Sequence, residues 1–257
     1  MRNRSVHGGR HELGQNFLTH KPTIATIVRL VRATQGSILE IGAGDGALTA
    51  PLAALRRPLL AIDIDEHRVA RLQRRLPAVE IQRRDATRTP LDRPVIVGNL
   101  PFHLTTPLLR RLLNTGSWRD AVVLTQWEVA RKRAGVGGAT MMTAQAAPWF
   151  GFKLHTRVPA HGFTPQPSVD GGVLSIRRRG DPLVPGADRS AYQRFVQAVF
   201  TGRGRGLAAI LRVTTSSGGG AVKGALRRAV VAESALPRDL TPEQWAELWN
   251  TLASRGG

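Results

Sequence analysis

Asn99-Leu100-Pro101-Phe102 follows the apolar run 95–98 and sets a carboxamide, a stiffened backbone and a flat ring side by side. Together they suit the holding of an exocyclic amine on a nucleobase. Such an amine is a poor nucleophile, because its lone pair is delocalised into the ring. A site that grips it by its hydrogens favours the pyramidal geometry of attack. The Asn99 side-chain oxygen and the Leu100 carbonyl can each accept one hydrogen. Pro101 fixes its own φ and restricts Leu100 to extended conformations, which aims that carbonyl. Phe102 offers a stacking face, worth roughly 1–3 kcal/mol per base. No strong base is required, since the nitrogen becomes acidic only after it has bonded to its new substituent. Catalysis then rests on positioning, which can supply ~7–11 kcal/mol. A base inside a helix must leave its stack to reach such a clamp.

A second constellation lies upstream. Residues 39–49, LEIGAGDGALT, place Gly42, Gly44 and Gly46 directly after an apolar run. The spacing is G-x-G-x-G rather than the G-x-G-x-x-G of dinucleotide binders, and no Gly-Lys-Ser/Thr follows to make a phosphate loop. Asp63 closes the next apolar run, 21 residues after Gly42, where an acid can accept from both ribose hydroxyls. Asp85 closes the one after that, where a carboxylate can accept from an adenine amine. A glycine turn, a ribose acid and a base acid describe an adenosine site without a pyrophosphate grip. S-adenosyl-L-methionine fits that description.

The elements that must position these groups are legible as alternation. Residues 37–42, 58–64, 79–86, 95–100 and 121–127 read as strands. ALTAPLAALRR, EHRVARLQRRL and TTPLLRRLLN between them carry apolar residues at helical spacing. Such alternation predicts a parallel sheet, with ligands beyond the carboxyl ends of its strands. GFKLHTRVP and DGGVLSIRR read as two further strands joined by a Pro-rich loop without a helix, which predicts an antiparallel edge. After the Pro/Gly linker 177–186 only helices are predicted, the last capped by Thr241 ahead of Pro242. TTSSGGGA, 214–221, reads as a loop and TGRGRG, 201–206, as a basic turn. The expectation is an α/β domain over 1–179 and a small all-helical domain over 186–257.

Composition narrows the partners. The 257 residues are 42% hydrophobic and contain no cysteine, so disulfides, a thiol nucleophile and cysteine-built metal sites are excluded. His7 and His11 are separated by Gly8 and Gly9, which argues against a helix pairing them, and no metal site is expected. No apolar run approaches the ~18–20 residues of a bilayer span, and the basic start lacks the apolar segment of a secretory signal. The cytoplasm is the expected compartment, and no membrane partner is expected. Net charge is +19, and 27 of the 37 basic residues fall before residue 180. An excess of this size points to a polyanion, with nucleic acid first. Arg131-Lys132-Arg133, Arg203 and Arg205 are candidate RNA contacts, with a solvated face the equal alternative for each; Arg177–Arg179, which follow a strand into the linker, are a weaker candidate.

At these residues the chain resembles the rRNA adenine-N6 methyltransferases. GQNFL (14–18), EIGAGDGALT (40–49), RRDA (83–86), NLPFHLTTP (99–107) and FTPQPSVDGGVL (163–174) stand in that family's order across most of residues 10–180. The resemblance implies a class I, Rossmann-like S-adenosylmethionine-dependent methyltransferase sheet with a small C-terminal helical domain, acting as a monomer. It implies a cofactor site of Gln15, Asn16, Leu18, Gly42, Gly44, Asp63, Asp85, Ala86 and Asn99, and a transfer site of Asn99, Leu100, Pro101 and Phe102. The family's ribose acid is commonly Glu; here it is Asp63, with Asp65 on the same side of an extended strand. NLPFHLTTP and VDGGVL resemble the erythromycin-resistance (Erm) branch, which modifies one adenine of 23S rRNA in the macrolide-binding region. The alternative branch dimethylates paired adenines of 16S rRNA during ribosome maturation. A non-catalytic nucleic-acid binder would have a damaged clamp or donor pocket. DNA adenine methyltransferases usually carry Asp-Pro-Pro-Tyr at the clamp.

Overall fold

The computed structural model describes residues 16–115 and 117–253. In chain order the first part contains β1 (Phe17–Leu18), α1 (Lys21–Arg32), β2 (Ile38–Ile41), α2 (Thr49–Ala53), β3 (Leu59–Asp63), α3 (Glu66–Arg75) and β4 (Glu80–Arg83). There follow β5 (Val95–Asn99), a 3-10 turn (Phe102–Leu104), α4 (Thr105–Asn114), β6 (Asp120–Gln126), α5 (Trp127–Arg133) and α6 (Met141–Ala146). Next come β7 (Phe150–Val158), β8 (Phe163–Thr164) and β9 (Gly171–Arg178). The remainder is helical: α7 (Arg189–Thr201), α8 (Leu207–Thr214), α9 (Gly219–Arg228) and α10 (Pro242–Leu252).

Seven strands form one mixed sheet in the order β4-β3-β2-β5-β6-β9-β7. The pairings from β4 to β6 are all parallel. β2, β3 and β5 are buried along nearly their whole length, as uninterrupted apolar runs must be when helices cover both faces. On one face Val95, Val97 and Ile38 pack with Ile27 and Val31 of α1 and Leu52 of α2. On the other, Ala61 and Ile81 pack with Val69 and Leu72 of α3. From β2 the chain steps outward to β3 and β4, then returns to lay β5 on β2's other side. The order therefore reverses between β2 and β5, and the carboxyl ends of these two strands flank a crevice.

That adjacency depends on Gly98. A Cβ there would stand 2.5 Å from the Ile41 carbonyl oxygen, opposite it in the parallel ladder. Several elements differ from the sequence reading. β4 ends at Arg83, so Asp85 sits beyond the strand in the loop that follows. α2 is only five residues long; Pro51 lies within it, and the chain leaves the helical region at Arg56 with φ 54°. α9 begins at Gly219, inside the predicted 214–221 loop, because Val222, Ala225 and Leu226 form a buried helical face just beyond. α1, α5 and α6 were not anticipated. Nor was the two-residue antiparallel pair of β1 with β8, which ties Phe17 to Thr164 and Leu18 to Phe163.

By packing, the described residues divide into one unit of 16–130 and 154–175 and another of 131–153 and 176–253. The helical unit thus includes α6 and the start of β7, besides the 177–186 linker and the helices that follow it. The helical unit has its own core. Tyr192 is buried, meets Trp149 and Trp249 edge-on, and donates its hydroxyl to the Ala144 carbonyl at 3.0 Å. α10 opens on a reciprocal cap between Thr241 and Gln244, with Pro242 in its first turn.

Replacing Gly98 with alanine is expected to destabilise the fold by about 1–3 kcal/mol, an overpacking cost at a site with backbone on one side. Thermal denaturation reads this directly, and an unchanged midpoint would mean that β2 and β5 have room to separate.

Candidate active site

The glycine turn leaves β2 with φ of 74°, 53° and 80° at Gly42, Gly44 and Gly46, values that glycine adopts without strain. Gly42 and Ala43 N–H groups donate to the Ile62 carbonyl. The Gly44 N–H donates to Asp63 Oδ2 at 2.7 Å, and the Asp65 N–H donates to Asp63 Oδ1 at 3.0 Å. Asp63 is buried, and each of its oxygens keeps lone-pair capacity beyond the bond it already accepts. Asp65 is no rival for its role, because Asp65 caps α3 by accepting from the His67 and Arg68 N–H groups.

From β5 the clamp unfolds as its residue types require. The Leu100 N–H donates to the Leu124 carbonyl at 2.9 Å, and Pro101 is extended at φ −54° and ψ 130°. The Pro101 carbonyl accepts from the Leu104 N–H and the Thr105 hydroxyl, which starts the turn into α4. Asn99 Nδ2 donates to the Asn16 carbonyl at 2.7 Å. A carbonyl can only accept, so this bond fixes the amide and turns Oδ1 to the opposite side. Phe102 is half-buried, edge-on to Phe163 at 6.1 Å between centroids.

These groups converge. One cavity is lined by Asn16, Phe17, Gly42, Gly44, Asp63, Asn99, Leu100, Pro101 and Phe102. A second, of about 300 Å³, shares Phe17, Gly42, Gly44 and Asn99 with it and adds Leu18 and Glu40. Asp85 and Ala86 line neither. Asp85 accepts from both the N–H and the hydroxyl of Thr87 at 2.7 Å, and the Thr87 hydroxyl, opposed by partial burial and helped by the Thr87 N–H, Arg88 and Arg111, holds its carboxyl below the usual range. The Ala86 carbonyl accepts from Arg111 at 3.0 Å, which pins this loop to α4. Gln15 lies outside the described residues. Of the candidate RNA contacts, Lys132, Arg203 and Arg205 are exposed, Arg131 is half-buried, and Arg133 is tied to the Thr140 hydroxyl at 2.8 Å. Arg178 lies over the Phe150 ring, and Arg179 donates to the Ala147 carbonyl and faces Glu243.

Three contributors escaped the sequence reading. Phe17 lies against the glycine turn: a Cβ on Gly44 would stand 3.0 Å from its ring. Arg68 covers the ring, its guanidinium carbon 3.9 Å from the centroid. Arg68 and Arg71 both pair with the Asp45 carboxylate, and Arg75 donates to the Asp45 carbonyl at 2.6 Å. Arg68, Arg71 and Arg75 share one face of α3 at helical spacing, a signal visible in the sequence. The third is Glu40, 1% exposed, with Oε2 buried and unpartnered among the described residues. Burial, reinforced by the neighbouring Asp63 carboxylate and opposed by the Thr49 hydroxyl, raises its pKa to about 8. A neutral acid thus stands at the cavity wall with one oxygen to spare.

The ribosomal RNA adenine dimethylase family matches residues 6–254. An rRNA adenine N-6-methyltransferase of Corynebacterium diphtheriae is 54% identical over 79% of this chain and 82% of its own length. The mycinamicin-resistance protein MyrB of Micromonospora griseorubida is 50% identical over 97% of this chain and 81% of its own. Among solved structures, the 23S rRNA methyltransferase ErmE superposes with a TM-score of 0.84 at 31% identity, covering 92% of this chain and 99% of that one.

The raised pKa of Glu40 sets a pH dependence. Between its ordinary value of 4.5 and about 8 the folded chain holds a proton that the unfolded chain has lost, so this group's stability contribution falls as pH rises through that window. Glu40→Gln is expected to flatten the fall, giving a ligand-free melting temperature at pH 8 above that of the parent. Parallel melting-temperature profiles from pH 5 to pH 8.5 would instead mean that Glu40 is ionised in the fold.

Proposed function

Because the chain belongs to the ribosomal RNA adenine dimethylase family, we propose that it moves a methyl group from S-adenosyl-L-methionine to N6 of one adenine in 23S rRNA, and so protects the ribosome from macrolides. The relatives at 54% and 50% identity support the large-subunit, resistance reading over small-subunit maturation. The single observation that carries the chemistry is the Asn99–Asn16 bond, which leaves Oδ1 as an acceptor beside the Leu100–Pro101 backbone in the cavity of the glycine turn.

The residues present fit the methyl donor. When bound it supplies an electrophilic methyl group on a sulfonium. Gly42 and Gly44 allow close backbone approach, Asp63 accepts from ribose hydroxyls, and Glu40 has an oxygen left for an ammonium or other cationic group. Asp85 would serve the adenine amine, as an outlying member of the set. On the acceptor side, Asn99 Oδ1 and the Leu100 carbonyl take the two amine hydrogens, and Phe102 supports the flipped ring. Neither group needs to change protonation. The proton released after transfer leaves a nitrogen made acidic by its fourth bond, and water suffices to accept it. Among the described residues no cluster of acids and histidines could hold a metal ion.

The exposed cations Lys132, Arg203 and Arg205 provide RNA phosphate contacts in this reading, and the +19 charge raises the local RNA concentration. No helix among the described residues is long and apolar enough to cross a membrane. In this reading the chain works as a monomer, in the cytoplasm where ribosomal RNA is found.

Expression in a macrolide-sensitive bacterium, with primer extension on both rRNAs, tests the reading: resistance and one modified 23S adenine are expected, and marks confined to 16S rRNA would overturn it. Phe102→Ala is expected to lower methyl transfer by on the order of 10- to 100-fold, with cofactor affinity nearly unchanged; equal losses would make Phe102 a packing residue. Cofactor binding at pH 7 is expected to release a proton from Glu40. Calorimetry in buffers of different ionisation enthalpy detects it, and Glu40→Gln should abolish the release.

A further inference from the structure

Outside the crevice, the sheet unit has a groove of about 380 Å³ along the exposed side of α1. Ile24, Ala25 and Pro51 give it an apolar floor, and Lys21, Arg29 and Arg32 stand around it. These three cations are exposed, and among the described residues none of them takes part in an ion pair or a side-chain hydrogen bond. By contrast, Arg68 and Arg71 share Asp45, Arg83 faces Glu66 and Arg157 holds Asp170. The difference originates in the sequence. Residues 17–39 and 46–62, which carry α1, α2 and the turns beside them, contain no aspartate or glutamate.

Helix stability does not account for all three cations. Arg29 and Arg32 lie in the last turn of α1, where positive charge complements the helix dipole. Arg57 already meets that end, donating to the Val31 and Thr34 carbonyls at 2.9 and 3.1 Å. Lys21 stands at the opposite end as the first residue of the helix, where a cation opposes the dipole and no acid in the first turn offsets it. Unpaired cations along one face repel one another, and a polyanion laid across them removes that repulsion while releasing its own counterions.

The face also leads away from the transfer site. Thr19, which lines the donor cavity, precedes Lys21 by two residues, and its N–H and hydroxyl both donate to the Gly162 carbonyl, at 2.8 and 3.1 Å. From this fixed start α1 carries the charge as far as Arg32, about 16 Å along the axis at ~1.5 Å per residue. We propose that α1 is a rail for the sugar–phosphate backbone flanking the target adenine. Phosphates lie against Lys21, Arg29 and Arg32, and riboses seat on the apolar floor. The inference rests on the RNA-methylating reading above and gives substrate affinity to a helix that takes no part in the transfer.

Fluorescence anisotropy of a labelled 23S hairpin containing the target adenine, titrated with the full chain at several salt concentrations, tests this. The triple variant Lys21→Gln, Arg29→Gln, Arg32→Gln is expected to lower the log–log salt slope by about 2–3 and to raise Kd at ~0.1 M salt by on the order of 10- to 100-fold. Its kcat at saturating RNA and its donor affinity are expected to stay parental. Arg29→Lys with Arg32→Lys keeps the charge and is expected to keep the slope. Ala25→Glu leaves every cation in place and adds a carboxylate at an exposed helix position. It is expected to raise Kd on the order of 10-fold, whereas Ala78→Glu, exposed in the turn from α3 to β4, is expected to change it less than ~2-fold. Lys21→Gln alone is expected to match or exceed the parent's melting temperature, and a fall would make Lys21 a folding residue and overturn its role. A parental slope and Kd in the triple variant, or equal losses from Ala25→Glu and Ala78→Glu, overturns the proposal and leaves the methyltransferase reading intact. Loss of binding to phosphatidylglycerol vesicles in the triple variant, with its RNA slope unchanged, would make the face a lipid surface and equally overturn it. If the parent marks only 16S rRNA, the 23S reading fails by itself. The same variants on the 16S hairpin then decide the rail, a reduced slope supporting it and a parental one overturning it.

Discussion

The close parallel approach of β5 to β2 is the constraint on which the rest depends. Neighbouring strands in a sheet lie under 5 Å apart, and Gly98 removes the one Cβ that would press on the Ile41 carbonyl. Two loops that are 57 residues apart in sequence, from Gly42 and from Asn99, are thereby brought to the same crevice. Donor grip and acceptor clamp are then neighbours by topology. Gly42 and Asn99 line both cavities, as expected where a parallel sheet reverses its strand order.

The crevice is organised by fixed acceptors. Asp63 is held by two backbone N–H groups, Asn99 is turned by a carbonyl, and Pro101 orients the preceding peptide. A reaction that needs no general base benefits from groups that do not move or titrate during it. Glu40 is the exception. Its proton is retained by burial and by proximity to Asp63, and a cation arriving at the wall removes the reason for retaining it. The same enclosure that weakens the fold at high pH thereby favours a positively charged occupant.

Much of the architecture was legible because buried parallel strands are long apolar runs and their ends are marked by Gly, Asp or Asn. Gly42, Asp63 and Asn99 all sit at strand ends as read. α10 was legible from Thr241-Pro242. α1 carries the same kind of signal, Pro22 followed by apolar residues at 24, 27, 28 and 31. β1 and β8 could not be read, since two-residue strands have no period and owe their existence to one another. The glycines that open α9 argued for a loop, and the buried face behind them prevailed. Asp85 illustrates a finer limit: its position after a strand was visible, whereas its engagement by Thr87 depends on a local turn. The protonation of Glu40 could not be read at all, because it depends on burial and on a neighbour 23 residues away.

The pairing of β1 with β8 also determines how mechanical strain would travel. Residues 17 and 18 are laced to 163 and 164, Asn16 is laced to Asn99, and the Phe17 ring is wedged between Gly44 and Arg68. This short segment works as a keystone: shortening the chain past Asn16 would unseat the Asn99 amide without touching any residue of the NLPF stretch itself.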